Sequence, residues 1–256
     1  MARLLFTCDK TLIMSDEREK LLRSMLFPFF FIVLLWCIQL CKQFFNADLI
    51  FLGILPLRAE GLPGIITAPL IHADYAHLGS NSLPLFMLGS ALFYFYREIA
   101  FKVIGLSWLM TGIWVWLFAR GNSFHIGASG VVYALAAFHF FSGFIRRESK
   151  LMAFSLLVVF LYGSMIWGVF PEFFPHKNIS WESHLMGSIA GFILSVYFRN
   201  DGIQRKVYQW NEEEEEEDDD ENSPWKQTEE TPPSPSEEQK DDSNKPFLSV
   251  HYEIKK

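Results

Sequence analysis

Ser129 stands in "GASG" (127–130), where a polar stretch gives way to an apolar run. A serine hydroxyl becomes a nucleophile when a base takes its proton, and histidine is the usual base because its pKa lies near neutrality. His184, in "HLMGSIAG" (184–191), opens another apolar run and supplies such a base. His77 and Asn81 open a third, four residues apart, so one helical face carries both. A nucleophile, a base and two hydrogen-bond donors are what acyl transfer needs, with the donors holding the oxyanion of a tetrahedral intermediate. Ser129 also starts a helix, where unpaired N–H groups and the helix dipole favour an anion. Gly127 and Gly130 let a backbone approach closely. His72, five residues before His77, either braces its loop or touches substrate. His125, His139 and His176 are read as structural or exposed. The chain has no H-E-x-x-H pattern and no local carboxylate set beside its histidines, so neither metal nor cofactor is expected.

The elements that must position these residues are apolar. Half of the chain is hydrophobic, and 26 of its 256 residues are Phe. Uncharged apolar runs of about 18 residues or more read as transmembrane helices. Six are expected, at 24–41, 77–96, 101–119, 129–145, 151–169 and 183–199. Residues 46–76 are apolar but broken by Gly53, Pro56, Pro63, Gly64 and Pro69, which predicts a structured loop in or near the interface. A seven-helix count using part of 46–57 is the alternative. Gly187 and Gly191, four apart, let segment six pack closely on a neighbour, plausibly segment four, which would bring His184 to Ser129.

Basic residues orient the bundle. Arg3, Lys10, Arg18, Lys20 and Arg23 precede segment one, Arg97 and Lys102 follow segment two, Arg146, Arg147 and Lys150 follow segment four, and Arg199, Arg205 and Lys206 follow segment six. Lys42, Arg58, Arg120 and Lys177 fall on the other side. Both termini are therefore expected in the cytoplasm, and segments two, four and six run inward. At about 1.5 Å per residue, Ser129, His184 and Asn81 each lie about 22–25 Å above the inner basic residues of their helices. A hydrocarbon core about 30 Å thick places all three at one depth, below the outer surface. Polar groups at such depth are candidates for function.

Residues 1–23 form a polar, amphipathic cytoplasmic lead-in, and 24–200 form the membrane domain. Residues 201–256 include "EEEEEEDDDE" (212–221) and little that could bury a core. They are expected to be a disordered acidic cytoplasmic tail, whose last ten residues offer a site for an unknown partner. Three cysteines give no disulfide framework; Cys37 and Cys41 read as small packing residues. No signal or transit peptide precedes segment one, which points to a bacterial inner (plasma) membrane.

Three motifs in order, "HADYAHLGSN" (72–81), "GASG" (127–130) and "HLMGSIAG" (184–191), resemble those of the rhomboid intramembrane serine proteases, most strongly over 60–199. The family's H-x4-H-x3-N falls on His72, His77 and Asn81, and its G-x-S-G on Gly127, Ser129 and Gly130. Its A-H-x2-G-x3-G falls on His184, Gly187 and Gly191, with Ser183 in place of the usual alanine. The resemblance implies an all-α polytopic membrane protein, a six-transmembrane-helix bundle of the bacterial type. It implies a serine endopeptidase with Ser129 as nucleophile and His184 as general base, a dyad without a third acid. His77, Asn81 and the Ser129 amide would form the oxyanion hole, and Tyr133 would stack on His184. The implied substrates are single-pass transmembrane proteins within the lipid bilayer, cut near the outer leaflet. No nucleic-acid partner is expected. The first loop lacks the Trp-Arg pair of many members, Arg58 in "PLRAEG" being an approximate counterpart. The rival reading is a catalytically silent relative that binds membrane clients; a small transporter or channel is disfavoured because no repeat is found and the candidate polar residues cluster near one surface.

Overall fold

The structure, a computed structural model, describes residues 2–121, 123–163 and 180–203, with side chains from residue 16 onward. Among these residues the chain is helical, with a single antiparallel bridge between Ile54 and His125. Six long helices follow in order: α1 (Ala2–Phe44), α2 (Tyr75–Phe95), α3 (Ala100–Phe118), α4 (Ser129–Arg146), α5 (Ser149–Tyr162) and α6 (Trp181–Tyr197). These lie close to the six expected segments, although segment five runs on to residue 169, beyond the described residues. The acidic tail, from residue 204, and His176 also lie outside them.

Among the described residues, three stretches are long and apolar enough to cross a membrane: Asp16–Phe44, Ala100–Phe118 and Ser129–Arg146. α2 has the length but spends its first turns on His77, Ser80, Asn81 and Ser82. α5 and α6, at 14 and 17 residues, fall short of the usual span. The polar lead-in is continuous with segment one in a single 43-residue helix, because nothing in 1–23 breaks it. Pro28 interrupts that helix only as a missing donor, and its ring lies against Gly89 of α2.

α4 is the central helix. Two-thirds of its apolar window (67%) is buried inside the protein, against 17% for α1 and 28% for α3. Leu135, Phe138 and Val132 of α4 meet Leu88 and Leu92 of α2, Val103 of α3 and Leu194 of α6 in the main core. α1 packs on α2 through Phe27, whose ring centroid lies 5.1 Å from that of Phe93. Cys37 and Cys41 do not pack in that seam. Both are exposed on the outer side of α1, correcting the expectation: the i, i+4 spacing puts them on one face, but that face looks away from α2.

The segment between α1 and α2 is a folded loop of short helical turns and not a seventh span. α3 holds it with two indoles: Trp108 Nε1 donates to Ile66 O (3.1 Å) and Trp116 Nε1 to Arg58 O (3.0 Å). Lys42, at the end of α1, donates to the carbonyls of His72 (2.8 Å) and Ala73 (2.9 Å). These bonds anchor a loop that lacks the Trp-Arg pair. At the other end of the bundle the buried Arg146 lies over Tyr96, 4.9 Å from its centroid, and donates to Phe198 O (2.6 Å) and Asp201 O.

Candidate active site

Ser129 is the first residue of α4, and the N-cap position before it is Ala128, which has no side-chain acceptor to offer the first turn. α2, α5 and α6 instead start on Asp74, Glu148 and Ser180, each of which accepts a first-turn amide. Ala128 therefore leaves the first-turn amides of α4 without a side-chain cap. The strand of chain leading to Ser129 is pinned by Gly127 N, which donates to Ala68 O of the first loop (2.9 Å).

Gly127 has φ +108°, a conformation that L side chains rarely adopt. It also lies against the His77 ring: a Cβ there would come 2.6 Å from Cε1 and 2.7 Å from Nε2. The glycine therefore sets both a turn and the space for an imidazole beside Ser129. His77 heads α2, where Asp74 Oδ1 accepts from its amide (2.7 Å). Asn81 is buried one turn on, and its Nδ2 donates to His77 O (3.2 Å). His72 meets the His77 ring edge-on at 5.1 Å, and its Nε2 faces the Ala128 amide at 3.4 Å. Burial first, then the neighbouring His77, push the His72 ring down to about 4. His72 is thus built into the loop behind Ser129 and held by its own carbonyl to Lys42.

His184 lies in the first turn of α6 and is buried. The Tyr133 ring, one turn after Ser129, stacks on it with centroids 4.1 Å apart and planes 6° apart. The two helices touch through their main chains. A Cβ on Gly187 would fall on the carbonyl oxygen of Gly130, and one on Gly191 on that of Ala134. A Cβ on Gly130 would meet Ser183 O at 3.2 Å, so the residue after Ser129 faces the residue before His184. The expected packing of segment six on segment four is present, and all three glycines serve it.

Sequence reasoning passed over a second set of contacts around His125. It is buried, at 5% exposure, and exchanges two backbone hydrogen bonds with Ile54, both 2.9 Å. Its Nδ1 is 2.6 Å from Ser180 Oγ, and its Nε2 is 3.3 Å from Arg120 O. Ser180 Oγ lies 2.7 Å from Ser183 Oγ, which gives the serine at the usual alanine position a partner. Arg120 pairs with the buried Glu182 (Nε–Oε1 2.6 Å) and covers Trp181 at 5.5 Å. Burial holds His125 below its ordinary pKa, with the Arg120 carbonyl and Glu182 pulling the other way. The only sequence signal for this set was Ser180-x-x-Ser183 before an apolar run, an N-cap pattern.

Comparison with known proteins agrees with this architecture. The family model described as Rhomboid domain matches residues 60–201. An uncharacterized protein of Mycobacterium tuberculosis is 33% identical over 168 residues, covering 64% of this chain and 70% of its own. An uncharacterized protein of Mycobacterium leprae is 33% identical over 169 residues, covering 64% and 66%. A Bacillus subtilis protein named "Putative rhomboid protease YdcA" is 28% identical over 132 residues, covering 51% of this chain and 64% of its own. With a matched domain over more than half of its length and several helices apolar enough to cross a bilayer, the chain belongs to the rhomboid family and is a multi-pass integral membrane protein.

Proposed function

We propose that the protein is an intramembrane serine endopeptidase that cuts single-pass membrane proteins near the outer leaflet with a Ser129–His184 dyad. The observation that carries this reading is the stack of Tyr133 on His184, because Tyr133 shares a helix face with Ser129 one turn away. A ring clamped flat by a neighbour is a base held in one orientation. The glycine contacts between α4 and α6 support the same pairing.

The chemistry follows from the groups. His184 takes the proton from Ser129 Oγ, which attacks the scissile carbonyl of a locally unwound substrate segment, entering beside α2 and α5. The oxyanion is met by the Ser129 amide, which Ala128 leaves uncapped, and by the side chains of His77 and Asn81. His184 then protonates the leaving amine, and the C–N bond breaks. Water, deprotonated by His184, attacks the acyl-enzyme and releases the new carboxylate with Ser129 restored. His72 braces the loop behind Ser129 through its contacts with the Ala128 amide and Lys42. Neither a metal nor a cofactor enters these steps.

The proposal includes six spans within 24–200 and cytoplasmic termini in a bacterial inner membrane, with the acidic tail (201–256) inside. Its support is the distribution of basic residues: Arg146, Arg147, Lys150 and Arg199 lie at the end of the bundle opposite Ser129 and His184. The test is fluorophosphonate labelling of the purified protein beside Ser129→Ala and His184→Ala. Labelling that requires both residues is expected. Undiminished labelling of folded Ser129→Ala would overturn the dyad, and a folded wild-type protein that does not label would favour a silent client-binding relative.

A further inference from the structure

We infer that His125 is a positioning residue for the Ser129–His184 pair, acting through Ser180; the inference rests on the dyad proposed above. His125 lies four residues before Ser129, and Ser180 lies four residues before His184. The 2.6 Å contact between Nδ1 of one and Oγ of the other therefore joins equivalent points on the two lead-ins to the proposed site. Each partner is fixed from its far side. His125 is bonded through its own amide and carbonyl to Ile54 of the first loop. Ser180 is the N-cap of α6, and its carbonyl accepts from Ser183 N (3.1 Å) and His184 N (3.4 Å). A displacement of Ser180 is thus carried by one hydrogen bond to the His184 backbone.

One arrangement of protons satisfies the whole chain. With its proton on Nε2, His125 donates to Arg120 O and leaves Nδ1 as an acceptor for the Ser180 hydroxyl. Ser180 Oγ then accepts from the Ser183 hydroxyl. No donor meets a donor. The Arg120–Glu182 pair runs alongside and crosses the same gap between the α3–α4 loop and the first turn of α6. A buried imidazole could brace a loop from many places. This one is bonded at the two points from which both reacting side chains are carried, and misplacing a reacting group by about 1 Å costs about 100-fold in rate.

The discriminating variants follow from the ring geometry. An asparagine side chain puts an acceptor near the position of Nδ1, and a glutamine side chain reaches the position of Nε2. The full-length protein in detergent is reacted with a fluorophosphonate at several concentrations, which separates the limiting labelling rate from the concentration at half-saturation. Thermal unfolding is followed in parallel. His125→Leu is expected to lower the limiting rate by about 10- to 100-fold, with half-saturation moved less than about threefold. His125→Asn restores the rate to within about threefold of wild type, and His125→Gln does not. Ser180→Ala matches His125→Leu, and the double variant is no slower than either. Wild-type labelling by folded His125→Leu, or equal rescue by Asn and Gln, would overturn the inference. Labelling that survives Ser129→Ala instead removes the dyad itself and leaves the His125 variants to be judged by a readout without a reactive serine. For that readout, Ser129→Cys and His184→Cys are combined and the rate of their oxidation to a disulfide is followed. The rate should fall at least tenfold on adding His125→Leu; an unchanged rate overturns the positioning role.

Discussion

Tyr133 and His184 lie face to face, 4.1 Å between ring centroids and 6° between planes, on two helices whose main chains touch one turn away. An aromatic contact of this kind contributes about 0.5–1.5 kcal/mol and removes the freedom of the imidazole to swing. Tyr133→Phe keeps the stack and should label with fluorophosphonate at close to the wild-type rate. Tyr133→Ala should label about tenfold more slowly while remaining folded. Equal rates for the two variants would show that the stack does not orient the base.

The glycines between α4 and α6 make a sharper stability test. Gly187→Ala and Gly191→Ala each drive a methyl group into a carbonyl oxygen of α4. Overpacking of a closed contact costs about 1–3 kcal/mol. Both variants should lower the unfolding midpoint, with loss of labelling. Gly105, also in a helix, has open space where its Cβ would go. Gly105→Ala should leave the midpoint unchanged or raise it by the equivalent of up to about 1 kcal/mol. A drop there as large as at Gly187 would remove the packing explanation.

Gly127→Ala combines a disfavoured backbone angle with a collision against His77. Labelling of Ser129 should fall about 100-fold. Because the collision part of the damage runs through the His77 ring, adding His77→Ala should lower the rate by less than it does in the wild-type background. Full multiplication of the two losses would mean that Gly127 acts independently of His77.

Acid should loosen the loop behind Ser129. His72 has a native pKa of about 4, below the value of about 6.5 for an unfolded chain. Above pH 6.5 both states carry a neutral ring and no pH dependence arises from it. Between about 6.5 and 4 the unfolded chain binds a proton that the native state refuses, so stability falls as pH falls, by up to about 3 kcal/mol. The unfolding midpoint of wild type should drop over that window, and His72→Gln should drop less. Parallel curves would place the acid sensitivity elsewhere.

How much the sequence discloses differs between the candidate site and the frame around it. The packing of α6 on α4 is legible because small residues four apart, Gly187 and Gly191, mark where helices can close up, whereas the Tyr133–His184 stack is legible only through the family resemblance. His77 and Gly127 are each legible alone, but their contact depends on one positive φ that no spacing encodes. His125 and Ser180 are 55 residues apart, and nothing local to either announces the other. The length of α1 is not legible from hydropathy, because Glu, Lys and Arg end an apolar run yet are good helix formers. Cys37 and Cys41 show the limit of periodicity: it groups residues on one face without saying what that face meets.

The main-chain contact between α4 and α6 has a mechanical consequence. Side chains yield by changing rotamer, but a carbonyl oxygen pressed against a Cα cannot. The seam through Gly130, Gly187, Ala134 and Gly191 is therefore the stiff keel of the molecule. When a bilayer thins or thickens around it, compliance is expected to come from α1, whose Leu and Phe side chains are exposed between Leu21 and Phe44. A membrane of the wrong thickness should tilt the outer helix long before it parts the two that carry Ser129 and His184.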